Sequence, residues 1–166
     1  MNIRPATLAD LPQLEQLYAQ ARRFMAQRGN PTQWGSTYPD STLLTQDIQT
    51  GSLYVCCQQG QLLAAFVFAP GPDPTYRTIQ KGSWLPEPMP YWVIHRVASS
   101  GQVKGTGAYC LEWCFAQHPC LRIDTHRDNL PMQRLLARCG FVQRGEITLP
   151  DGSQRLVYQR MGSPAE

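Results

Sequence analysis

The stretch that decides the fold is Gln102-Val103-Lys104-Gly105-Thr106-Gly107. An extended apolar run, residues 91–98, precedes it, and a helical pattern, residues 108–117, follows it. The first N–H groups of a helix have no intrahelical partner, so they point at an anion with the helix dipole behind them. Glycines let the backbone come close to such a ligand. The segment therefore predicts a ligand that carries a pyrophosphate, with Lys104 adding a point charge.

Two common phosphate loops do not fit this stretch. The Walker A pattern G-x-x-x-x-G-K-[ST] is absent from the chain. A dinucleotide loop needs a third glycine where this chain has Cys110. A loop with two glycines is also compatible with an ordinary tight turn, so composition alone leaves both interpretations open.

A glutamine or arginine followed by two spaced glycines after a strand is nonetheless a recurring pattern. Gln102, Gly105 and Gly107 match its three fixed positions, and in this they resemble the acetyl-CoA loop of the GNAT superfamily of N-acetyltransferases. A second family element is a strand, an asparagine, a helix of about three turns and Gly-Phe. Asn129 and Gly140-Phe141 stand at that spacing. The resemblance spans residues 2–158. Within this range, residues 123–133 resemble the corresponding stretch in a bacterial branch of the superfamily.

The resemblance implies how acetyl-CoA would be held. The N–H groups of residues 102–107 would bind its pyrophosphate, and Asn129 would hydrogen-bond the pantetheine arm. Edge backbone groups at Val97 and Ser99 would pair with the pantetheine amides, as an added strand pairs with a sheet edge. An N–H group near Val97 or Ala98 would polarise the thioester carbonyl.

The proton transfers of acetylation are less clear from the sequence. Many GNAT enzymes have a tyrosine seven residues after the asparagine as proton donor, and Leu136 occupies that position here. His95, two residues before Val97, is a candidate base because imidazole titrates near neutral pH. His126, at the end of the next strand, is a second candidate. A structural role remains open for both histidines.

Several aromatic side chains would shape an acceptor pocket, although core or rim packing is the commoner role of such residues. The candidates lie in the loop of residues 29–40, in the proline-rich segment of residues 70–90 and beside it: Trp34, Tyr38, Trp84 and Trp92. The proline-rich segment reads as a rim or lid, because its aromatic residues argue against disorder.

Composition excludes several classes of protein. A net charge of +3 is too small to indicate a nucleic-acid partner. No apolar run approaches the length of a membrane span. The six cysteines show neither a Cys-x-x-Cys pair nor zinc spacing, so we expect free thiols and no metal site. These features, with no signal peptide at the N-terminus, predict a cytoplasmic protein.

Hydrophobic periodicity predicts the order of helices and strands. Two helices, a strand hairpin, the proline-rich segment, a strand–helix–strand–helix unit and a final hairpin indicate an α+β fold with a mixed sheet. We expect one domain over residues 1–160 and a loose tail over residues 161–166. The family resemblance implies a sheet of six to seven strands, splayed between strands 4 and 5 and flanked by about four helices.

Two functions compete on this evidence, and the family resemblance carries the first. It implies an enzyme that transfers an acetyl group from acetyl-CoA to a primary amine of a small molecule or protein, by direct attack in a ternary complex. The second is a non-catalytic acyl-CoA-binding or sensing module, which Leu136 favours slightly. A monomer and a homodimer are both compatible with the sequence, and the acceptor amine is not encoded in any pattern that we recognise.

Overall fold

Seven strands and four α-helices make up residues 1–162, the part of the chain that the computed structural model describes. The strands are β1 (Asn2–Pro5), β2 (Leu53–Gln58), β3 (Gln61–Pro70), β4 (Trp92–Ser99), β5 (Cys120–Thr125), β6 (Val142–Thr148) and β7 (Gln154–Met161). The helices are α1 (Leu11–Gln27), α2 (Ser41–Gln49), α3 (Thr106–Gln117) and α4 (Leu130–Arg138). Short 3-10 helices span Leu8–Asp10 and Pro74–Tyr76.

The strands form a mixed sheet with the order β1-β2-β3-β4-β5-β7-β6. Strands β4 and β5 run parallel, with residues 92–94 opposite residues 121–123. The pairs β1–β2, β2–β3, β5–β7 and β6–β7 are antiparallel. A parallel pair needs a crossover connection, which α3 supplies. The predicted α+β class with a mixed sheet and about four helices is confirmed.

The chain divides into two compact units, each built from separate stretches. Unit 1 comprises residues 1–68 and 95–110, and unit 2 comprises residues 69–94 and everything from residue 111 onward. The single domain predicted over residues 1–160 stays a prediction.

The predicted loose tail needs a correction at its start. Met161 is the last residue of β7, and the N–H of Gly162 donates to the carbonyl oxygen of Pro119 at 2.7 Å. Backbone pairing therefore continues past the predicted boundary. The remaining positions of that tail, 163–166, lie outside the described residues.

The core of unit 1 is organised by the apolar face of α1. Leu14, Leu17 and Tyr18 recur at helical spacing and are at most 4% exposed. Burying a leucine this completely stabilises a fold by about 1.5–3 kcal/mol. The helix begins after Asp10, whose carboxylate accepts hydrogen bonds from the Arg4 guanidinium and the Thr7 N–H. The Arg4 hydrogen bonds hold the pKa of Asp10 down at about 2.

In unit 2, the proline-rich segment contributes buried aromatic residues to the core. Tyr76 is 1% exposed, and its hydroxyl donates to Asp124 Oδ2 at 2.7 Å. The indole N–H of Trp84 donates to the Tyr76 carbonyl oxygen at 2.9 Å, and the two rings pack 5.5 Å apart. Tyr76 and Trp84 of the segment that we predicted as a rim or lid are therefore held by packing in the core of unit 2.

Arg122 of β5 ties the end of the same segment to the sheet. Its guanidinium lies over two aromatic rings, 4.1 Å from the centroid of Trp84 and 3.8 Å from that of Tyr91. It also forms an ion pair with Glu87, and both side chains are at most 12% exposed. A desolvated cation held by two ring faces and a carboxylate has its charge fully compensated.

Two glycines close the segment against the edge of the sheet. Gln80 and Glu146 of β6 exchange backbone hydrogen bonds of 2.8 Å in both directions. A Cβ on Gly82 would stand 1.8 Å from the Arg144 carbonyl oxygen, and a Cβ on Gly145 would stand 2.5 Å from that of Gln80. Backbone approaches this close tolerate no side chain at either position.

We predict that Gly82→Ala lowers the free energy of unfolding by about 3 kcal/mol, because the new methyl group meets backbone atoms that cannot rotate away. Gly60→Ala is the matched control: Gly60 has a φ of +75° with open space around its Cβ position. It should lose only about 1 kcal/mol, from backbone strain alone. Urea denaturation measures both, and equal losses would contradict the close contact.

Candidate functional site

In unit 1, the strand that carries the predicted cofactor contacts changes its backbone conformation at Arg96. Arg96 has a φ of +51°, a left-handed value that is rare outside glycine. Its carbonyl oxygen accepts a hydrogen bond of 2.6 Å from the hydroxyl of Tyr18, which is fully buried in α1. Burial raises the pKa of Tyr18 above its ordinary value, so the hydroxyl stays a donor at any physiological pH. The helix thus fixes the position at which β4 departs from regular extension.

The side chain of Arg96 makes a second set of contacts in unit 1. Its Nε and Nη2 donate to the two carboxylate oxygens of Asp47 at 2.9 and 3.0 Å, and its Nη1 donates to the Tyr38 hydroxyl at 3.0 Å. The Arg96 and Asp47 side chains are only 16% and 10% exposed. A bidentate pair at this depth holds both partners in one geometry. It links α2 and the preceding loop to β4.

Two of the predicted acceptor-pocket residues belong to this arrangement. The Trp34 ring lies 5.7 Å from that of Tyr18 and 6.3 Å from that of Tyr38. Trp34 is half-buried and Tyr38 is 41% exposed, so Trp34 lies nearer the core of unit 1 and Tyr38 nearer its surface. Unit 1 therefore brings these aromatic residues together, and Tyr38 connects them to Arg96 through its hydroxyl.

The predicted cofactor residues of β4 alternate as a strand should. Ala98 is 3% exposed and packs in the core of unit 1, whereas Val97 is half-buried and Ser99 is exposed. His95 is half-buried. Among the described residues, the β4–β5 register ends with Ile94, so residues 95–99 continue beyond that pairing.

The loop after β4 leads from the sheet into helix α3. The Ser100 N–H donates to the Leu63 carbonyl oxygen at 2.8 Å, which fixes where the loop leaves the sheet. Gly105 has a φ of +84°, and a Cβ built there would meet nothing within 4 Å. Helix α3 begins directly afterwards at Thr106, whose hydroxyl is turned back to the Val103 carbonyl oxygen at 2.7 Å.

The other predicted residues of this loop are exposed or half-buried. Lys104 is exposed, and Gln102 is exposed with its carboxamide oxygen accepting from the Gln61 side chain. Val103 and Gly107 are half-buried. Lys104 is therefore the one cationic side chain of residues 102–107, and it is exposed.

In unit 2, Asn129 is the N-cap of α4. Its Oδ1 accepts from the Met132 N–H at 3.2 Å, its own N–H donates to the His126 carbonyl oxygen at 2.9 Å, and the residue is 8% exposed. Leu136 is 0% exposed on the same helix. Leu136, at the position where the family resemblance implies a tyrosine, is therefore a core residue with no proton to donate.

His126 lies at the end of β5 with a side chain that is 13% exposed. Its Nδ1 accepts from the Asp128 N–H at 3.0 Å, and the Asp128 carboxylate is 3.6 Å away. Burial lowers the pKa of His126, and the charge of Arg155 lowers it further. The imidazole is thus predominantly neutral at pH 7.

Two predicted acceptor-pocket residues are used in packing within unit 2. Trp84 stacks against Arg122, as described above. Trp92 stacks on the His118 ring at 5.5 Å, and His118 Nε2 lies 2.7 Å from the Pro90 carbonyl oxygen.

The sequence did not reveal the partners of Arg96. Tyr18 reads as one more apolar position of α1, and Asp47 as a surface residue of α2. Arg96 directly follows His95, the candidate base, but no pattern in the sequence indicates its left-handed backbone conformation. An aspartate facing inward among Leu44 and Ile48 on α2 was the available signal, since buried carboxylates require partners.

Two further findings concern metals and membranes. Residues 1–162 contain no group of three or more His, Cys, Asp or Glu side chains placed to hold a metal ion. Within the same residues, every helix is too short or too polar to cross a bilayer. All six cysteines are free thiols, and Cys57 alone among them is more than slightly accessible.

Comparison with known proteins identifies structural relatives. No family model and no curated protein sequence matches the chain. Among solved structures, an acetyltransferase of the GNAT family from Streptococcus agalactiae superposes with a TM-score of 0.88 and 31% identity, over 98% of this chain and 96% of that one.

More distant structures share the fold. A ribosomal-protein-alanine N-acetyltransferase from Brucella melitensis matches with a TM-score of 0.64 and 20% identity, over 97% of this chain and 99% of that one. A GNAT-like decarboxylase, GphF, in complex with isobutyryl-CoA matches with a TM-score of 0.69 and 14% identity, over the same shares of the two chains. The fold is thus compatible with more than one reaction.

We predict that Tyr18→Phe lowers the free energy of unfolding by about 1.5 kcal/mol, because the buried Arg96 carbonyl oxygen loses its donor. Tyr109→Phe is the matched control: its hydroxyl bonds to the Met1 carbonyl oxygen at 3.0 Å, but the residue is 37% exposed. That change should stay within about 0.5 kcal/mol. Guanidinium denaturation followed by tryptophan fluorescence distinguishes the two variants; a Tyr18→Phe protein of wild-type stability would show that the contact is dispensable.

Proposed function

Because the chain belongs to the GNAT family of acetyltransferases, we propose that it transfers an acetyl group from acetyl-CoA to a primary amine of a small molecule or protein. The observation that carries this proposal is the loop of residues 102–107 in unit 1. Its backbone opens at the start of a helix, directly after the strand on which the family binds its cofactor. The free thiols fit the cytoplasmic location that we propose for the enzyme.

The residues of the loop fit a pyrophosphate. The space above Gly105 accommodates a ligand atom where any other residue would place a side chain. N–H groups at the start of α3 would donate to phosphate oxygens, and the helix dipole favours their charge. Lys104, at the exposed rim, would add attraction at longer range. This combination supports acetyl-CoA rather than a neutral ligand.

Strand β4 and helix α4 would hold the remainder of acetyl-CoA. Backbone groups of Val97 and Ser99 lie on the stretch of β4 beyond its pairing with β5, and they would bond the pantetheine amides. An N–H group at Val97 or Ala98 would donate to the carbonyl oxygen of the thioester, and Asn129 would bond the pantetheine arm. When bound, acetyl-CoA supplies an activated acyl group that an amine attacks directly.

His95 is the group that we propose removes the proton from the acceptor ammonium. It precedes the left-handed residue Arg96 on β4, at the end of the paired stretch. An imidazole at this position would hold one proton during attack. With Leu136 buried in α4, the leaving thiolate would take its proton from water or from the imidazolium of His95. Trp34 and Tyr38 would form one wall for the acceptor.

A binding module without catalysis is the second candidate function. The buried Leu136 favours it, because the proton donor used by many relatives is missing. Such a module would bind acetyl-CoA with the same loop but would not accelerate transfer to any amine. The two functions differ in turnover, not in cofactor affinity.

We predict that Gly105→Glu weakens acetyl-CoA binding at least about 100-fold, or about 2.7 kcal/mol, because a carboxylate would occupy the anion site. Gly51→Glu is a control with the same charge change at a glycine of similar φ and equal free space, directly after α2. It should bind as the wild type does. Isothermal titration calorimetry measures both, and the absence of binding to the folded wild-type protein would refute the proposed cofactor site.

We predict that His95→Gln lowers kcat for amine-dependent CoA release about 100-fold, because the ammonium loses its proton acceptor, and leaves the affinity for acetyl-CoA unchanged. A thiol-release assay with a panel of primary amines measures kcat, and His118→Gln serves as a control. Undiminished turnover would exclude His95 as the base. If the wild type binds acetyl-CoA but releases no CoA with any amine, the binding module is the better description.

A further inference from the structure

The hydrogen bond that Tyr18 donates to Arg96 in unit 1 constrains more than a carbonyl oxygen. The carbonyl group of Arg96 and the N–H of Val97 belong to the same peptide group, and this peptide bond is trans. In a planar trans peptide the C=O and N–H bonds point in opposite directions. A donor that holds the Arg96 oxygen therefore also determines where the Val97 N–H points.

Tyr18 is a rigid donor. Its hydroxyl lies 2.6 Å from the Arg96 oxygen, and the residue is 0% exposed. It shares the core of unit 1 with Leu14 and Leu17 of the same helix, and the Trp34 ring packs 5.7 Å from its own ring. A side chain enclosed on these sides is confined to one rotamer, so its hydroxyl holds the oxygen in one place.

Arg96 constrains the same peptide group through its backbone and its side chain. Its φ of +51° is left-handed, so the peptide that follows it is turned out of the regular strand direction. Its guanidinium is held by both carboxylate oxygens of Asp47, at 2.9 and 3.0 Å. Strained backbone of this kind persists where surrounding contacts impose it, and it clusters at functional sites. Contacts from α1 and α2 thus maintain the unusual direction of the Val97 N–H.

The Tyr18 bond also changes the strength of this N–H as a donor. A hydrogen bond to a carbonyl oxygen polarises the whole peptide group, which strengthens a bond donated by its N–H by about 10–30%. An N–H that stabilises developing negative charge is most effective when it is oriented before the charge forms. Tyr18 contributes both the orientation and the polarisation.

We infer that Tyr18 is a positioning residue for acetyl transfer: by holding the peptide group between Arg96 and Val97, its hydroxyl aims the Val97 N–H at the carbonyl oxygen of the thioester. This inference rests on the proposed acetyltransferase function. It assigns the polarising N–H to Val97 rather than to Ala98. Helix α1 thereby takes part in the reaction through a backbone group of β4.

Infrared spectroscopy of bound acetyl-CoA, isotope-labelled at the thioester carbonyl, tests the inference without turnover. A hydrogen bond to that carbonyl lowers its stretching frequency. We expect the frequency to fall on binding to the wild type, and the fall to be smaller by at least about half in Tyr18→Phe, because the donor is no longer aligned. The Kd for acetyl-CoA, from isothermal titration calorimetry, should change less than about threefold, because the pyrophosphate and pantetheine contacts are unaltered.

Kinetics provide a second readout. Tyr18→Phe should lower kcat for amine-dependent CoA release about tenfold and leave KM for acetyl-CoA within about threefold, since the N–H acts mainly on the transition state. Leu14→Val is the matched control, because it shortens another buried side chain of α1 without removing a hydrogen bond. It should leave the carbonyl frequency unchanged and kcat within about twofold. Equal losses in the two variants would show that Tyr18 only stabilises the fold, and would overturn the inference.

The backbone conformation of Arg96 offers an independent test. Arg96→Gly and Arg96→Ala both lose the pair with Asp47, so each is combined with Asp47→Asn, which leaves no buried carboxylate unpaired. Glycine adopts the left-handed φ of Arg96 readily, whereas alanine does not. The glycine variant should therefore keep the lower carbonyl frequency and a kcat at least about threefold above that of the alanine variant. Equal values, or the reverse order, would contradict the role of this peptide group.

The outcomes separate this inference from the function on which it rests. If the wild type binds acetyl-CoA and releases CoA with an amine, but Tyr18→Phe leaves the carbonyl frequency at its wild-type value, the inference is overturned and the proposed function stands. A folded wild-type protein that does not bind acetyl-CoA would overturn both.

Discussion

The bidentate pair between Arg96 and Asp47 is the interaction on which the geometry of unit 1 depends. A left-handed conformation at a residue with a side chain is costly by about 1–2 kcal/mol, so it persists only where other contacts impose it. Here the Arg96 side chain is held by Asp47 and its carbonyl oxygen by Tyr18. Because both its side chain and its carbonyl oxygen are held, Arg96 fixes the deviation in β4. It lies directly before the backbone groups that we assign to the cofactor.

Unit 2 uses an arginine in a different way. Arg122 satisfies its charge with Glu87 and two aromatic faces, and so it attaches an irregular segment to a regular strand. Tyr76 and Asp124 form a second attachment two residues further along β5. A segment with few backbone hydrogen bonds of its own is thereby ordered by side chains. His126 follows directly after the end of the same strand.

The sequence predicted those features that local chemistry determines. Apolar spacing located α1 and its buried face, the glycines located the loop before α3, and the Asn129 cap located α4. The α+β class and the mixed sheet followed from the same signals.

Features that depend on distant partners were beyond the sequence. Asp47 and Arg96 are 49 positions apart, and Tyr76 and Asp124 are 48 apart, so no local window contains either pair. The packing of Trp84 on Arg122 likewise follows from the path of a proline-rich segment that has no periodicity.

The contact of Gly82 with β6 has a consequence for self-association. Strand β6 is the last in the sheet order, and an open edge of this kind recruits strands from other molecules. Gln80 already occupies the hydrogen-bonding groups of Glu146 in the middle of that edge. The opposite edge, β1, has only four residues and ends in Pro5, which lacks an N–H. Neither border therefore offers a long row of free backbone groups to a strand of another molecule.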